Sequence, residues 1–185
     1  MWQRNAAFTL VELLVVLVIM STIILLSAPG ISHFLERNRI TTQVNQLVRV
    51  IHMAREAAIF RNRNVTLCRS DNGITCTGEW RNGMLLFVDQ NEDRAFSENE
   101  ELIYTFPPLP EGDQLYWRAF RNRQYLVMTP RGYTAWQNGT FTYCPGGELH
   151  YARGVILNAA GRIRITSDSD GDGIDEGANG RPLRC

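Results

Sequence analysis

With 185 residues, the chain can form one domain with a real core in addition to an apolar segment. Its composition excludes several classes. There is no CxxC, His33, His52 and His150 stand without ligand spacing, and no GxSxG, HExxH or P-loop string occurs, so neither a zinc centre nor a catalytic set is expected. The formal net charge is zero, yet the charges fall in blocks, arginine-rich over 28–70 and 114–166, acidic over 71–113 and 167–180. All 19 basic residues are arginine. Coding bias in a GC-rich genome explains that, and arginine also suits forked contacts to carboxylate or phosphate.

The first predicted element follows the short leader MWQRNAA. Residues 8–28 are almost wholly apolar and long enough for a helix of about 30 Å, the thickness of a hydrocarbon core. No small-residue cleavage site of a conventional signal peptide follows the run. Arg4 precedes it and no base follows until Arg37, which places the leader on the cytoplasmic side and delivers the rest across the membrane. Glu12 interrupts this span, and an ionisable group in lipid calls for a partner. A cut just before Phe8 would free an α-amine. Glu12 cannot comfortably reach that amine along its own helix, but a neighbouring copy's amine can reach Glu12. The alternative is a carboxylate that snorkels to the interface and has no role.

Ala7-Phe8-Thr9-Leu10-Val11-Glu12-Leu13-Leu14 resembles the class III signal of type IV pilins and type II secretion pseudopilins. The resemblance implies that a prepilin peptidase removes residues 1–7 between Ala7 and Phe8, and that the new amine of Phe8 is methylated. It also implies that Glu12 pairs with the N-terminal amine of the adjoining subunit during assembly. The family usually has glycine where this chain has Ala7. Pro29 falls where many pilins carry a helix-breaking proline.

After Pro29-Gly30, where a kink or short melted segment is expected, the pattern becomes one-sided. Phe34, Ile40, Val44, Leu47, Val48, Ile51, Ala54 and Ala58 recur at threes and fours with polar residues between them, which predicts an amphipathic helix over 29–62 packed on a sheet. Residues 63–185 then read as a head of short strands near 65–68, 84–88, 102–106, 115–119, 124–128, 140–143, 153–158 and 162–166. Asn72-Gly73, Asn82-Gly83 and Asn138-Gly139 mark turns, and Pro107-Pro108 with Pro110 bars a strand. A long helix followed by many strands defines an α+β architecture. The acids over 92–101 read as a solvated loop.

Four cysteines allow three pairings. Cys68 and Cys76 flank a turn-rich loop and Cys185 ends the chain, so the favoured pairing is Cys68–Cys76 with Cys144–Cys185 as a tail staple, in an oxidising compartment. Free buried thiols are the alternative.

The strings VTLCRSDNGITC, EWRNGMLLFVDQNED, EELIY and VILNAAGRIRI resemble the FimT/FimU minor pilins and the GspH-type pseudopilin domain. The resemblance implies a type IV pilin-like fold, with the membrane-spanning and amphipathic halves of one long helix leading into a β-rich head. It implies that the inner membrane holds the protein, head in the periplasm, before it joins other pilins in a filament, at the tip or along it.

In a strand, side chains alternate between faces. In GRIR, Gly161 to Arg164 and on to Ile165, the isoleucines Ile163 and Ile165 should therefore face the core while Arg162 and Arg164 project together. Their spacing is comparable with that of phosphates along a strand, and each guanidinium can take one in a forked contact. The string also matches the GRxR motif of DNA-binding minor pilins of FimT type, which implies non-sequence-specific phosphate contacts during natural transformation. Arg153, Arg118, Arg121 and Arg123 are candidates to widen the patch. A polar strand face in an arginine-only chain explains the same residues without DNA.

Asp168, Asp170 and Asp172 alternate as in a calcium loop, with Gly173 at the sharp turn and Glu176 in the ninth place. Asn179 occupies the twelfth, where a calcium-binding hand has glutamate. No cofactor is required, and calcium is the one candidate ion; without it these acids would oppose phosphate binding nearby, and with it they would not. The alternative is a flexible acidic turn. Three functions follow: a minor pilin that supports assembly and captures DNA, a type II secretion pseudopilin that contacts secreted cargo, and a membrane-anchored β-domain in which Glu12 is incidental.

Overall fold

The computed structural model describes the backbone of residues 9–185 and the side chains of 9–24 and 33–185. The expected leader 1–7 and the cut between Ala7 and Phe8 lie outside the described residues. Helix α1 (Leu10–Arg61) is followed by eight strands: β1 (Val65–Arg69), β2 (Met84–Val88), β3 (Leu102–Phe106), β4 (Gln114–Ala119), β5 (Tyr125–Met128), β6 (Gly139–Cys144), β7 (Arg153–Leu157) and β8 (Ile163–Ile165). Each coincides with a strand expected from the sequence. Three 3₁₀ turns, at Trp80–Asn82, Phe120–Asn122 and Pro145–Gly147, were not expected.

The chain falls into two compact units, one ending at Thr41 and the other running Thr42–Cys185. In the first, Thr9 caps α1. Its hydroxyl accepts from the Glu12 amide at 3.2 Å, and the Glu12 carboxylate accepts from the Thr9 amide at 2.9 Å and hydroxyl at 3.0 Å. This reciprocal pair is a capping box, spelled by T-x-x-E, and it satisfies donors that the helix start leaves open. Within its own helix Glu12 thus has Thr9 as a partner, while the amine expected at Phe8 lies outside the described residues. Side chains 10–24 are exposed throughout. Among the described residues no helix is long and apolar enough to cross a membrane, and the expected span 8–28 runs into positions whose side chains are not described. Of the kink or melted segment expected at Pro29-Gly30, the melted segment is absent, since the helix is continuous there. A proline forfeits one i→i−4 bond, the one to the carbonyl that its ring crowds, and the turns on either side carry the helix on. Phe34 is 65 % exposed, so the expected stripe does not include it as a buried position.

In the second unit the stripe is Val44, Leu47, Val50, Ile51, Ala54, Ala57 and Ala58, all buried and spaced to share one helix face. The helix ends in a Schellman motif. Asn62 takes a left-handed φ of 51°, its amide reaches Ile59 O, and the Arg63 amide reaches Ala58 O. Asparagine tolerates that conformation better than most residues. Arg61, in the last turn, forks onto Glu101 and holds that carboxyl below its usual range.

The strands form two antiparallel sheets, ordered β3-β2-β1-β5 and β4-β6-β7-β8. Every residue of β2 is buried, as a continuous MLLFV run covered on both faces requires. Cys68, Leu85 and Phe87 form a cluster on one face, closed by Phe96, Tyr125 and the Cys68–Cys76 disulfide. The two sheets meet at aromatic rings. Phe141 of β6 stacks on Trp117 of β4 and takes the edge of Trp80 from the first 3₁₀ turn. Asp89, just past β2, accepts from the Thr66 hydroxyl at 2.7 Å, and burial pushes its carboxyl up despite that bond.

Candidate functional site

The site expected at GRIR lies on the β7–β8 hairpin. Asn158 closes the turn by accepting the Arg162 amide on its side chain at 2.9 Å, while its own amide reaches Arg162 O. Gly161 has φ 73° and is buried, and a Cβ there would stand 2.7 Å from Gly132 O. Arg55 of α1 donates to Gly161 O at 3.3 Å, and the amide and hydroxyl of Thr134 reach Ala159 O. The turn is thus held from three sides, and glycine is needed both for its φ and for lack of room. Gly161→Ala is expected to cost about 1–3 kcal/mol, read as a lowered midpoint of thermal unfolding. An unchanged midpoint would contradict the crowding.

This turn launches Arg162 and Arg164. Both are exposed, and among the described residues neither guanidinium makes a hydrogen bond or ion pair. The isoleucines depart from expectation. Ile163 is half-buried and Ile165 is 45 % exposed, because β8 is a three-residue edge strand paired on one side only and has little above it to bury either residue.

The other candidate arginines do not join the pair. Arg153 is bound to Asp175 at 3.0 Å. Arg118, Thr140, Ile156 and Arg164 are successive cross-strand partners and so share a face, but Arg118 stands at the opposite edge, three strand spacings or about 14 Å from Arg164. There it donates to Arg184 O at 2.8 Å and lies over the Tyr116 ring. Arg121 covers the Phe120 ring and Arg123 reaches Ala135 O, both beyond the end of β4. Instead, Arg118 shares a cleft of about 500 Å³ with Arg181 and Arg184 of the tail. The tail is tied down by Cys144–Cys185. Nothing in the linear spacing of residues 118, 181 and 184 announces this grouping.

Two exposed aromatics also escaped notice. Trp136 is 83 % exposed and Tyr133 52 %, and both line a hollow of about 610 Å³ that reaches Ala159 and Ala160 of the hairpin turn. Between β8 and the tail lies the acidic loop. Asp168 accepts from the amides of Gly171 and Gly173 at 2.7 and 2.8 Å, which holds its carboxyl below the usual aspartate range. Asp175 receives both Arg153 and the Thr166 hydroxyl, fixing the loop's far end to the sheet.

The helix, the two antiparallel sheets and the stapled tail make up an α+β fold of type IV pilin kind. Two crystal forms of the type IV minor pilin FimU of Pseudomonas aeruginosa share it. One is 18 % identical over 72 % of this chain and 92 % of that one, with a TM-score of 0.55. The other is 15 % identical over 69 % and 92 %, with a TM-score of 0.50. The sequence profile "Type II transport protein GspH" matches residues 43–161, well over half of the chain, and the protein belongs to that family. The prokaryotic N-terminal methylation motif matches residues 2–28. No curated protein is matched. The family match stops at Gly161, so Arg162, Arg164, the acidic loop and the tail lie beyond it.

Proposed function

We propose that this member of the GspH family is a minor pilin of a type IV pilus whose head binds DNA through the phosphate backbone at Arg162 and Arg164. In this reading residues 8–28 hold the chain in the inner membrane until the leader is removed and it joins other pilins. The observation that carries the DNA reading is the pair of exposed guanidiniums, without hydrogen bond or ion pair among the described residues, on a strand whose turn is clamped by Asn158, Arg55 and Thr134. A fixed backbone lets two phosphates be met without ordering a loop first. Trp136 and Tyr133 beside that turn offer faces on which unpaired bases can stack.

Gel retardation of the full chain in detergent tests this, with wild type beside Arg162→Gln/Arg164→Gln. Two phosphate contacts give a slope near −1.8, so raising salt from about 50 to about 200 mM should weaken wild-type binding roughly twelvefold. The double variant should bind at least about tenfold more weakly, with a flatter slope. Equal retardation by both proteins would remove the site.

The family description favours a second reading, a type II secretion pseudopilin that contacts protein cargo. The hollow beneath Trp136 and Tyr133 would then take an apolar segment of the cargo. Absence of DNA retardation in wild type would favour it.

A further inference from the structure

We infer that Asp168, Asp170, Asp172 and Glu176 form a calcium site that couples β8 to the C-terminal tail. One ligand oxygen from each of these residues lies within 4.8 Å of all the others. Oxygens bound at 2.3–2.6 Å from one calcium ion stand at most about 4.6–5.2 Å apart, so the four fit a single coordination sphere. They take the first, third, fifth and ninth places of a loop whose sixth residue, Gly173, has φ 88°, the place where such loops turn sharply.

A second observation, independent of the loop, points to a cation. Glu176 is only 8 % exposed. Its Oε2 accepts the amide and hydroxyl of Ser169 at 2.8 and 2.6 Å. Its Oε1 is buried and has no hydrogen-bond partner among the described residues. A carboxylate oxygen shut away from water without a donor is costly. Among the described residues no arginine pairs with any of these four acids; Arg153 goes to Asp175. The cluster therefore carries up to four negative charges with no cationic side chain among the described residues paired to them, and an orphaned oxygen belongs to one of its members. A divalent cation answers both needs.

The chemistry selects calcium. Magnesium demands near-ideal octahedral geometry, keeps several waters and uses one or two carboxylates, whereas calcium takes six to eight oxygens in flexible cages. Asn179 stands in the twelfth place, and the chain there reverses through Gly177–Gly180, the Gly177 amide meeting Arg181 O. With no bidentate glutamate at that place, affinity should sit with extracellular modules, at a Kd of about 0.1–1 mM. Glu176 pairs with Pro182 across this turn, and the Leu183 amide reaches Asp175 O. An ion held at Glu176 therefore braces the tail that the Cys144–Cys185 bond already anchors.

Calorimetric titration of the EGTA-treated, dialysed full chain in detergent tests the site, with calcium chloride as the probe. One equivalent should bind, and the unfolding midpoint should rise with calcium. Asp172→Ala removes an exposed ligand oxygen, whereas asparagine would keep a carbonyl that calcium accepts; it should weaken binding at least about tenfold. No heat and no midpoint shift at about 10 mM calcium would overturn the site, as would undiminished binding by Asp172→Ala. Magnesium binding as tight as calcium binding would overturn the assignment of the ion. None of these outcomes depends on DNA.

Discussion

Phe141→Ala should lower the stability of the head by about 3–5 kcal/mol, the range for removing a fully buried aromatic ring. Phe141 is completely buried on β6, an interior strand of the second sheet. Its ring lies 4.1 Å from Trp117, stacked, and 5.1 Å from Trp80, edge-on. Aromatic pairs contribute about 0.5–1.5 kcal/mol each beyond burial alone, so the substitution removes two such contacts as well as the ring's own burial. Trp117 is the cross-strand neighbour of Phe141 within the second sheet, whereas Trp80 comes from the turn that joins β1 to β2 of the first, so it is the Trp80 contact that links the two. The cavity left behind cannot collapse without moving both. Urea unfolding followed by tryptophan fluorescence measures the loss. Since whole domains are stable by only about 5–15 kcal/mol, a variant within about 1 kcal/mol of wild type would show that the sheets are joined elsewhere.

The sequence showed the strands well because each carries its own signal. MLLFV reads as a strand buried on both faces, and the Asn-Gly and proline punctuation leaves few other places for strands to begin. The 3₁₀ turns left no such trace. Phe120–Asn122 needs left-handed φ values at Arg121 and Asn122, and arginine does not announce that. Thr9 and Glu12 did spell a capping box, but the apolar run around them drew attention to the membrane instead of to the helix start. Ile165 pairs with buried Val155 and so lies on the face that alternation assigns, but alternation cannot tell whether anything covers it. Edge position is a property of topology. The same limit separated Arg118 from Arg162 and Arg164: arginines from β4 and β8 share a face, but the strand order β4-β6-β7-β8 puts them at its two margins. Arg55, which holds the Gly161 carbonyl from 106 residues away, had no local mark at all.

Glu12→Gln should reduce incorporation into filaments by about a hundredfold or more, while Thr9→Ala should leave it nearly unchanged. In the single chain the Glu12 carboxylate faces the amide and hydroxyl of Thr9, and glutamine at this place completes a capping box as well as glutamate does. The substitution therefore keeps the helix start and removes only the charge. If capping were the whole role of Glu12, the glutamine variant would assemble normally and the Thr9 variant would suffer. If the carboxylate instead leaves Thr9 for the freed amine of an adjoining subunit, as we propose, the order reverses. Leaving one member of a desolvated ion pair without its partner costs about 3–5 kcal/mol, which sets the hundredfold scale. The measurement is the fraction of chain in sheared filaments relative to the total cellular pool, by immunoblot. Normal assembly of the glutamine variant would confine Glu12 to its cap and detach it from subunit pairing.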